Sequence, residues 1–203
     1  TERLVAIPNG IVLISPSATS PGLSTIDSKG LFYRTAPSDT REGEILAQMM
    51  IDHGVKSAAI SYTNNDYGKG IASSIQASFE KLGGKITLSA PHEDGKGDYS
   101  AEVGALASAG GDALVVAGYA DQGGAGIVQT TLDTGAFPKF VFPNGMWGES
   151  LLKKFGKQLD GSFGDRPGSD SPGAAKLVDM AKAAGIDSNA TFVPETYDAA
   201  AIM

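Results

Sequence analysis

The chain has 203 residues, 41% of them hydrophobic, with 23 acidic and 16 basic side chains for a net charge of −7. That is apolar material for one large or two modest folded bodies, and the negative balance argues against nucleic acid, which asks for a basic face, and against an anionic membrane surface. No cysteine is present, which excludes disulfides, thiolate chemistry and cysteine-based zinc sites.

The opening "TERLVAIPNG" has no methionine and reads as the tail of a helix. At the other end, "ETYDAAAIM" stops inside what reads as a beginning helix, so the chain is expected to be a piece of a longer protein. No signal peptide is legible, and no apolar run reaches the ~18 residues that would span a bilayer.

Between the ends a rhythm repeats. "IVLIS" (11–15) and "LFYRT" (31–35) are short β-rich runs. A helix is predicted from Ser38 or Asp39, a capping residue, to about His53, where Gly54 stops it. Its apolar stripe is Ile45, Leu46, Met49 and Met50. "SAAISYT" (57–63) reads as a strand, followed by a helix from about Tyr67 to Leu82 with Ile71, Ile75, Phe79 and Leu82 on one face. "KITLS" is the next strand, and a helix from about Ser100 to Ala109 ends at Gly110-Gly111. "ALVVAG" (113–118) has no polar alternation, as expected of a strand covered on both faces. A helix over about 124–133, a strand "KFVFP" (139–143) and a helix "GESLLKKFGKQL" complete the series.

Strand–helix alternation over at least four units predicts an α/β fold with a doubly wound, mostly parallel sheet. Such sheets bind ligands at the loops after the carboxyl ends of their strands. Those loops are "PSATSP" (16–21), "NNDYGKG" (64–70), "PHEDGKGDYS" (91–100), "YADQGG" (119–124) and "PNGMWGE" (143–149). Tyr67, Tyr119 and Trp147 stand among Asn, Asp and Gln there, a composition suited to a small-molecule pocket.

Catalytic motifs are missing. "GYADQGGAG" lacks the G-x-G-x-x-G spacing, and neither a P-loop nor a G-x-S-x-G elbow occurs. His53 sits in the last turn of a helix and His92 in a charged loop, neither with triad or metal neighbours. "HEDGKGD" (92–98) lacks the alternating ligands and terminal Glu of a calcium loop. No metal, cofactor or enzymatic activity is expected.

"ISPSATSP", "LFYRTAPSDTREGEILAQMM" and "AAISYTNNDYGKGIASSIQASFEKLGGKI", followed by "DYSAEVGALASAGGDALVVAGYADQGGAGIVQT" and "TYDAAAIM", resemble in that order the branched-chain amino-acid (Leu/Ile/Val) binding proteins. These are type I periplasmic solute-binding proteins of ABC transporters. The resemblance implies a two-lobed Venus flytrap closing on a ligand in an interlobe cleft. Residues 1–38 would belong to lobe 1, 39–165 to lobe 2, and 166–203 to the return into lobe 1, through the Gly/Pro/Asp-rich "GSFGDRPGSDSPG" (161–173). Lobe 1 would be incomplete, its first part lying before residue 1.

The resemblance also assigns a ligand site. Ser17 would offer a backbone or hydroxyl contact, Ala18 a backbone N–H, and Thr19 a hydroxyl and N–H to a ligand carboxylate. Several donors at a loop can satisfy a carboxylate without a counter-charge. Read on the residues alone, the same segment is a Ser/Thr-rich turn between prolines. Tyr67 and Tyr119 match two tyrosines that flank the ligand, and Phe192 falls near a further aromatic. Where close relatives place a Glu for the ligand's ammonium, this chain has Asn144. Either Asp121 supplies the lost charge, or the ligand has no ammonium group. The implied protein is a periplasmic or extracellular receptor that passes a small amino-acid-like solute, by default a branched-chain amino acid, to a membrane permease, without inserting in the membrane itself. A ligand sensor on the same lobes, or an enzyme on a doubly wound sheet, are the alternatives that fold alone leaves open.

Overall fold

In the computed structural model, which describes residues 2–168, 172–186, 188 and 190–203, the chain divides into two compact units. One comprises Thr1–Ser38 with Pro167–Met203, the other Asp39–Arg166.

In the second unit, five strands lie in the order β4-β3-β5-β6-β7, all parallel: β3 Ser57–Thr63, β4 Lys85–His92, β5 Ala113–Ala117, β6 Phe140–Phe142 and β7 Phe163–Gly164. Side chains alternate across the sheet. Ala58, Ile60, Val115 and Val141 face one layer, packing with Leu46 and Met50 of α1 (Asp39–Asp52) and Ile71, Ile75 and Phe79 of α2 (Asp66–Lys81). Ala59, Leu114, Val116, Phe140 and Phe142 face the other. There they meet Val103 and Leu106 of α3 (Ser100–Ala109), Ile127 and Val128 of α4 (Ala125–Thr134), and Leu151 and Phe155 of α5 (Glu149–Phe155). Each such side chain buried from water contributes about 1.5–3 kcal/mol before entropic costs. The expected doubly wound α/β arrangement is therefore present.

Four details differ from the sequence reading. The buried stripe of α1 is Glu42, Gly43, Leu46, Ala47 and Met50, while Ile45 is exposed. Gly43 matters to this packing because a Cβ there would collide with the Ser74 backbone of α2 at 2.6 Å. Leu82 lies past the end of α2 and is exposed. β4 runs through Pro91 to His92, so His92 is the last residue of a strand and is buried, not a member of a charged loop. A proline is tolerated because β4 is an edge strand and its missing N–H costs no ladder bond on the open side. The helix expected over 148–159 breaks at Gly156 (φ +49°) into a 3₁₀ turn, and β7 follows inside the segment assigned to a crossing.

In the first unit, β1 (Leu13–Ser15) and β2 (Phe32–Arg34) pair in parallel, Ile14 opposite Tyr33. A helix α6 spans Pro172–Ala183, which the sequence reading did not mark, and α7 spans Val193–Ile202. Phe192 precedes α7 with a left-handed backbone (φ +67°), and the Glu195 carbonyl accepts a 2.8 Å hydrogen bond from the Thr35 hydroxyl. Part of the segment 161–173, namely residues 169–171, lies outside the described residues. No described helix is long and apolar enough to cross a membrane.

Candidate functional site

Because β3, β5 and β6 are parallel, the turns after Thr63, Ala117 and Phe142 leave the sheet at the same end. Asn65 caps α2 by accepting the Gly68 N–H at 2.8 Å, which sets Tyr67 in the first turn. Tyr119 follows β5 across Gly118, and its ring lies 4.8 Å from that of Tyr67 at 34°. Asn144 opens a 3₁₀ turn after β6 and is 5% exposed. The Tyr67 hydroxyl donates to Asn144 Oδ1 at 3.3 Å and accepts the Gly145 N–H at 3.2 Å. Position 145 must be glycine for this approach, since a Cβ would strike the Gly118 carbonyl and crowd the Tyr67 ring at 2.9 Å. Three of the expected residues thus meet at one sheet end.

Asn144 does not stand alone there. It donates its backbone N–H to Glu42 Oε1 at 2.7 Å and its side-chain Nδ2 to Glu42 Oε2. Glu42 is 7% exposed on α1, and Asp39, one turn before it, is fully buried. Burial raises the Glu42 carboxyl well above the usual carboxylate range, and Asp165 and Asp39 push further in that direction against the Asn144 donors. Asp165, just after β7, is raised by burial too, with a hydrogen bond from Glu42 opposing. Burial thus holds both acids toward their protonated forms, Glu42 more strongly than Asp165. The Tyr67 phenol is raised by burial and then by Glu42, and the Tyr119 phenol by burial and then by Asp39 and Asp121.

Asp121 is exposed, in the turn Ala120–Gly124 that begins just after Tyr119. Trp147 packs instead with Phe142 and Leu151 on the α3–α5 side of the sheet. Behind the tyrosines, His92 is held between Ser61 Oγ and Thr63 Oγ1. Thr63 Oγ1 also lies 3.4 Å from the Tyr119 N–H. Among the described residues no His, Asp and Glu side chains are grouped to hold a metal ion.

Ser17, Ala18 and Thr19 belong to the other unit. Ser17 is exposed and Thr19 is 5% exposed. The Ala18 N–H donates to Ser15 Oγ at 3.1 Å, and the Ser17 N–H points to the same oxygen at 3.4 Å. Arg34 of β2 fastens the loop from below, donating to the Ala18 carbonyl at 3.2 Å and the Ser20 carbonyl at 2.9 Å. The loop is a well-formed turn with a guanidinium beneath it.

Sequence reasoning missed Glu42, Asp165, Arg34 and His92. A signal existed for Glu42, which stands four residues before Leu46 on the buried face of α1. Asp165 gave none, because the strand before it is two residues long.

The periplasmic binding protein family profile matches residues 4–203. A Leu/Ile/Val-binding protein homolog 1 of Brucella suis biovar 1 is 31% identical over 196 residues, covering 93% of this chain and 50% of that one. A leucine-, isoleucine-, valine-, threonine- and alanine-binding protein of Pseudomonas aeruginosa is 25% identical, over 96% of this chain and 52% of that one. Among solved structures, a leucine binding protein from Thermotoga maritima MSB8 superposes with a TM-score of 0.78 at 23% identity, over 89% of this chain and 52% of that one. An R. palustris solute binding protein of an ABC transporter, in complex with 4-hydroxybenzoate, gives 0.80 at 18% identity, over 93% and 53%. The chain spans about half the length of the relatives it matches, and those relatives are binding proteins rather than enzymes. This chain belongs to the periplasmic binding protein family.

Proposed function

We propose that the chain is the ligand-binding part of an extracytoplasmic receptor of an ABC importer, placed in the periplasm or outside the cell. It captures a small amino-acid-like solute and delivers it to a membrane permease. The observation that carries this reading is the Tyr67–Tyr119 pair at the carboxyl end of the parallel sheet, rings 4.8 Å apart, with Asn144 hydrogen-bonded to Tyr67. In this reading the Tyr67 and Tyr119 rings hold the ligand's body, and Asp121, Asn144 and the Tyr67 hydroxyl face its amino end. Ser17, Ala18 and Thr19 take its carboxylate. A branched-chain amino acid is the default ligand, supported by the names of the Brucella and Pseudomonas relatives.

A second reading, an aromatic acid, is favoured by the neutral Asn144 and by the 4-hydroxybenzoate in the R. palustris relative. A thermal-shift screen of the full-length protein separates the two, because a ligand that binds only the folded state raises the melting temperature as its concentration rises. Stabilisation by leucine, isoleucine or valine supports the first reading, and stabilisation by 4-hydroxybenzoate alone the second. No shift with any amino acid or small carboxylic acid would sink both.

A further inference from the structure

We propose that Glu42 is a positioning residue that sets the hydrogen-bond polarity of the Tyr67 hydroxyl, so that the ligand group meeting that oxygen is a donor and not an acceptor. The inference rests on the reading that Tyr67 lines the ligand site. Its premise is a donor count along one relay. The backbone N–H of Asn144 can only donate, and Glu42 Oε1 accepts it. Glu42 Oε2 is the acceptor for the Asn144 side chain, so the amide must turn Nδ2 to Glu42 and Oδ1 to Tyr67. Tyr67 then has no choice but to donate its single proton to Oδ1. The fixed Gly145 N–H occupies one of its lone pairs. One lone pair is left, which accepts from an ammonium, a hydroxyl or an amide N–H and repels a carboxylate or ketone oxygen.

This sense holds while both Glu42 oxygens accept from Asn144, as they do here. The groups that face Glu42 are Asp39 from its own helix, Asp165 after β7, and Asn144 after β6, with Tyr67 of α2 on the far side of Asn144.

Glu42→Gln inverts the relay without changing its shape. The Asn144 backbone N–H still demands the carbonyl oxygen of the introduced amide, which leaves that amide's nitrogen facing the Asn144 side chain. Asn144 must then flip, presenting Nδ2 to Tyr67, and the Tyr67 proton is released toward the ligand. Adding Asn144→Asp restores the original sense, since a carboxylate at 144 accepts from both the introduced amide and Tyr67.

The test uses the full-length protein and two probes: leucine, and its 2-oxo analogue, which puts an acceptor where leucine carries the ammonium. Calorimetry on the parent protein is expected to favour leucine. Glu42→Gln should lower the leucine-to-oxo-acid preference by about tenfold or more, as for one hydrogen bond to a charged group. The double variant Glu42→Gln/Asn144→Asp should recover it, and in a Tyr67→Phe background Glu42→Gln should no longer move it. A preference unmoved by Glu42→Gln, in a protein whose preference Tyr67→Phe does shift, overturns the proposal. If Tyr67→Phe leaves both affinities untouched, the reading of the site fails instead. The relay is also read without ligand, by nuclear magnetic resonance of the Asn144 side-chain amide. Its signal should follow the titration of Glu42 and lose that dependence in Glu42→Gln. An Asn144 amide indifferent to both pH and the substitution overturns the relay whether or not either probe binds.

Discussion

His92 Nε2 lies 3.1 Å from Thr63 Oγ1, and the histidine is 1% exposed. Burial lowers the His92 imidazole from 6.5 to about 4, against the opposing pull of a backbone hydrogen bond at Gln122 and of Glu102, Glu93 and Asp94. The folded state therefore binds fewer protons here than the unfolded chain. Its contribution to stability is complete above the unfolded value of about 6.5 and is lost as pH falls toward 4. The shift corresponds to about 3 kcal/mol at about 1.4 kcal/mol per unit. His92→Gln removes the titration while keeping a donor and an acceptor. It should cost about 1–2 kcal/mol at neutral pH, and the gap to the parent should narrow steadily on acidification. Urea midpoints measured across that range check this. Parallel curves for the two proteins would mean that His92 is not the group that titrates.

Thr63→Val removes the hydroxyl that serves His92 and sits beside the Tyr119 N–H. Losing one hydrogen-bond partner of a buried imidazole costs about 1–3 kcal/mol. The loss should appear as a lower denaturation midpoint with an unchanged slope. The same variant should also weaken ligand binding, since Thr63 Oγ1 lies 3.4 Å from the Tyr119 N–H. Full affinity in Thr63→Val would detach the histidine cluster from the site.

How much of this was legible in the sequence depended on the kind of signal. The parallel sheet was readable because strands such as "ALVVAG" carry no polar alternation and successive helices are followed by Gly54, Gly83, Gly110 and Gly135. β4 looked shorter than it is because Pro91 reads as a stop, and only the strand order makes it an edge where proline is harmless. Tyr67 and Tyr119 could be named from their places after strands, and Asn144 only through the resemblance to the branched-chain amino-acid binding proteins. Glu42 could not be joined to them, because it meets Asn144 across 102 residues of sequence and lies on a helix face that looked apolar. The loop at Ser17–Thr19 was visible as a polar turn, but its anchor, Arg34, arrives only through the pairing of β1 with β2.

In the ligand reading, Thr19→Val keeps the side chain's shape at a 5% exposed position and deletes one donor. A hydrogen bond to a charged carboxylate contributes about 1.5–3 kcal/mol. Affinity for the physiological ligand in the full-length protein should fall by about tenfold or more, with the melting temperature of the unliganded protein little changed. An unaltered dissociation constant returns the segment to a plain turn held by Ser15 and Arg34.

Asp121→Asn probes the alternative acid. Its side chain is exposed beside Tyr119, and an exposed charge interacts with a partner by only about 0.2–1 kcal/mol. If it faces the ligand's ammonium, the substitution should weaken leucine binding by no more than about fivefold. The effect should fade as salt is raised, because exposed charges are screened. A loss of a hundredfold or more would identify Asp121 as a desolvated direct partner.

Asn144→Glu introduces the residue that close relatives are expected to carry, and the structure reverses the naive outcome. In this chain position 144 already gives two hydrogen bonds to Glu42, with Asp165 and Asp39 close by. A carboxylate there removes a donor that Glu42 uses and adds a further acid to a buried group. At least one of these acids must stay protonated, so its folded pKa rises above the unfolded value. The stability tied to that proton is present below the unfolded carboxylate range and is lost as pH rises through the folded pKa. Asn144→Glu should therefore cost about 2–4 kcal/mol at neutral to alkaline pH, as for an unpaired buried charge. The cost should shrink toward mildly acidic pH. Combining it with Glu42→Gln exchanges one acid for another and should recover most of the loss. Denaturation of the parent, the single variant and the double variant on either side of neutrality decides the matter. If Asn144→Glu is as stable as the parent at both pH values, residue 144 and Glu42 do not share the buried hydrogen bonds described here, and the relay to Tyr67 goes with them.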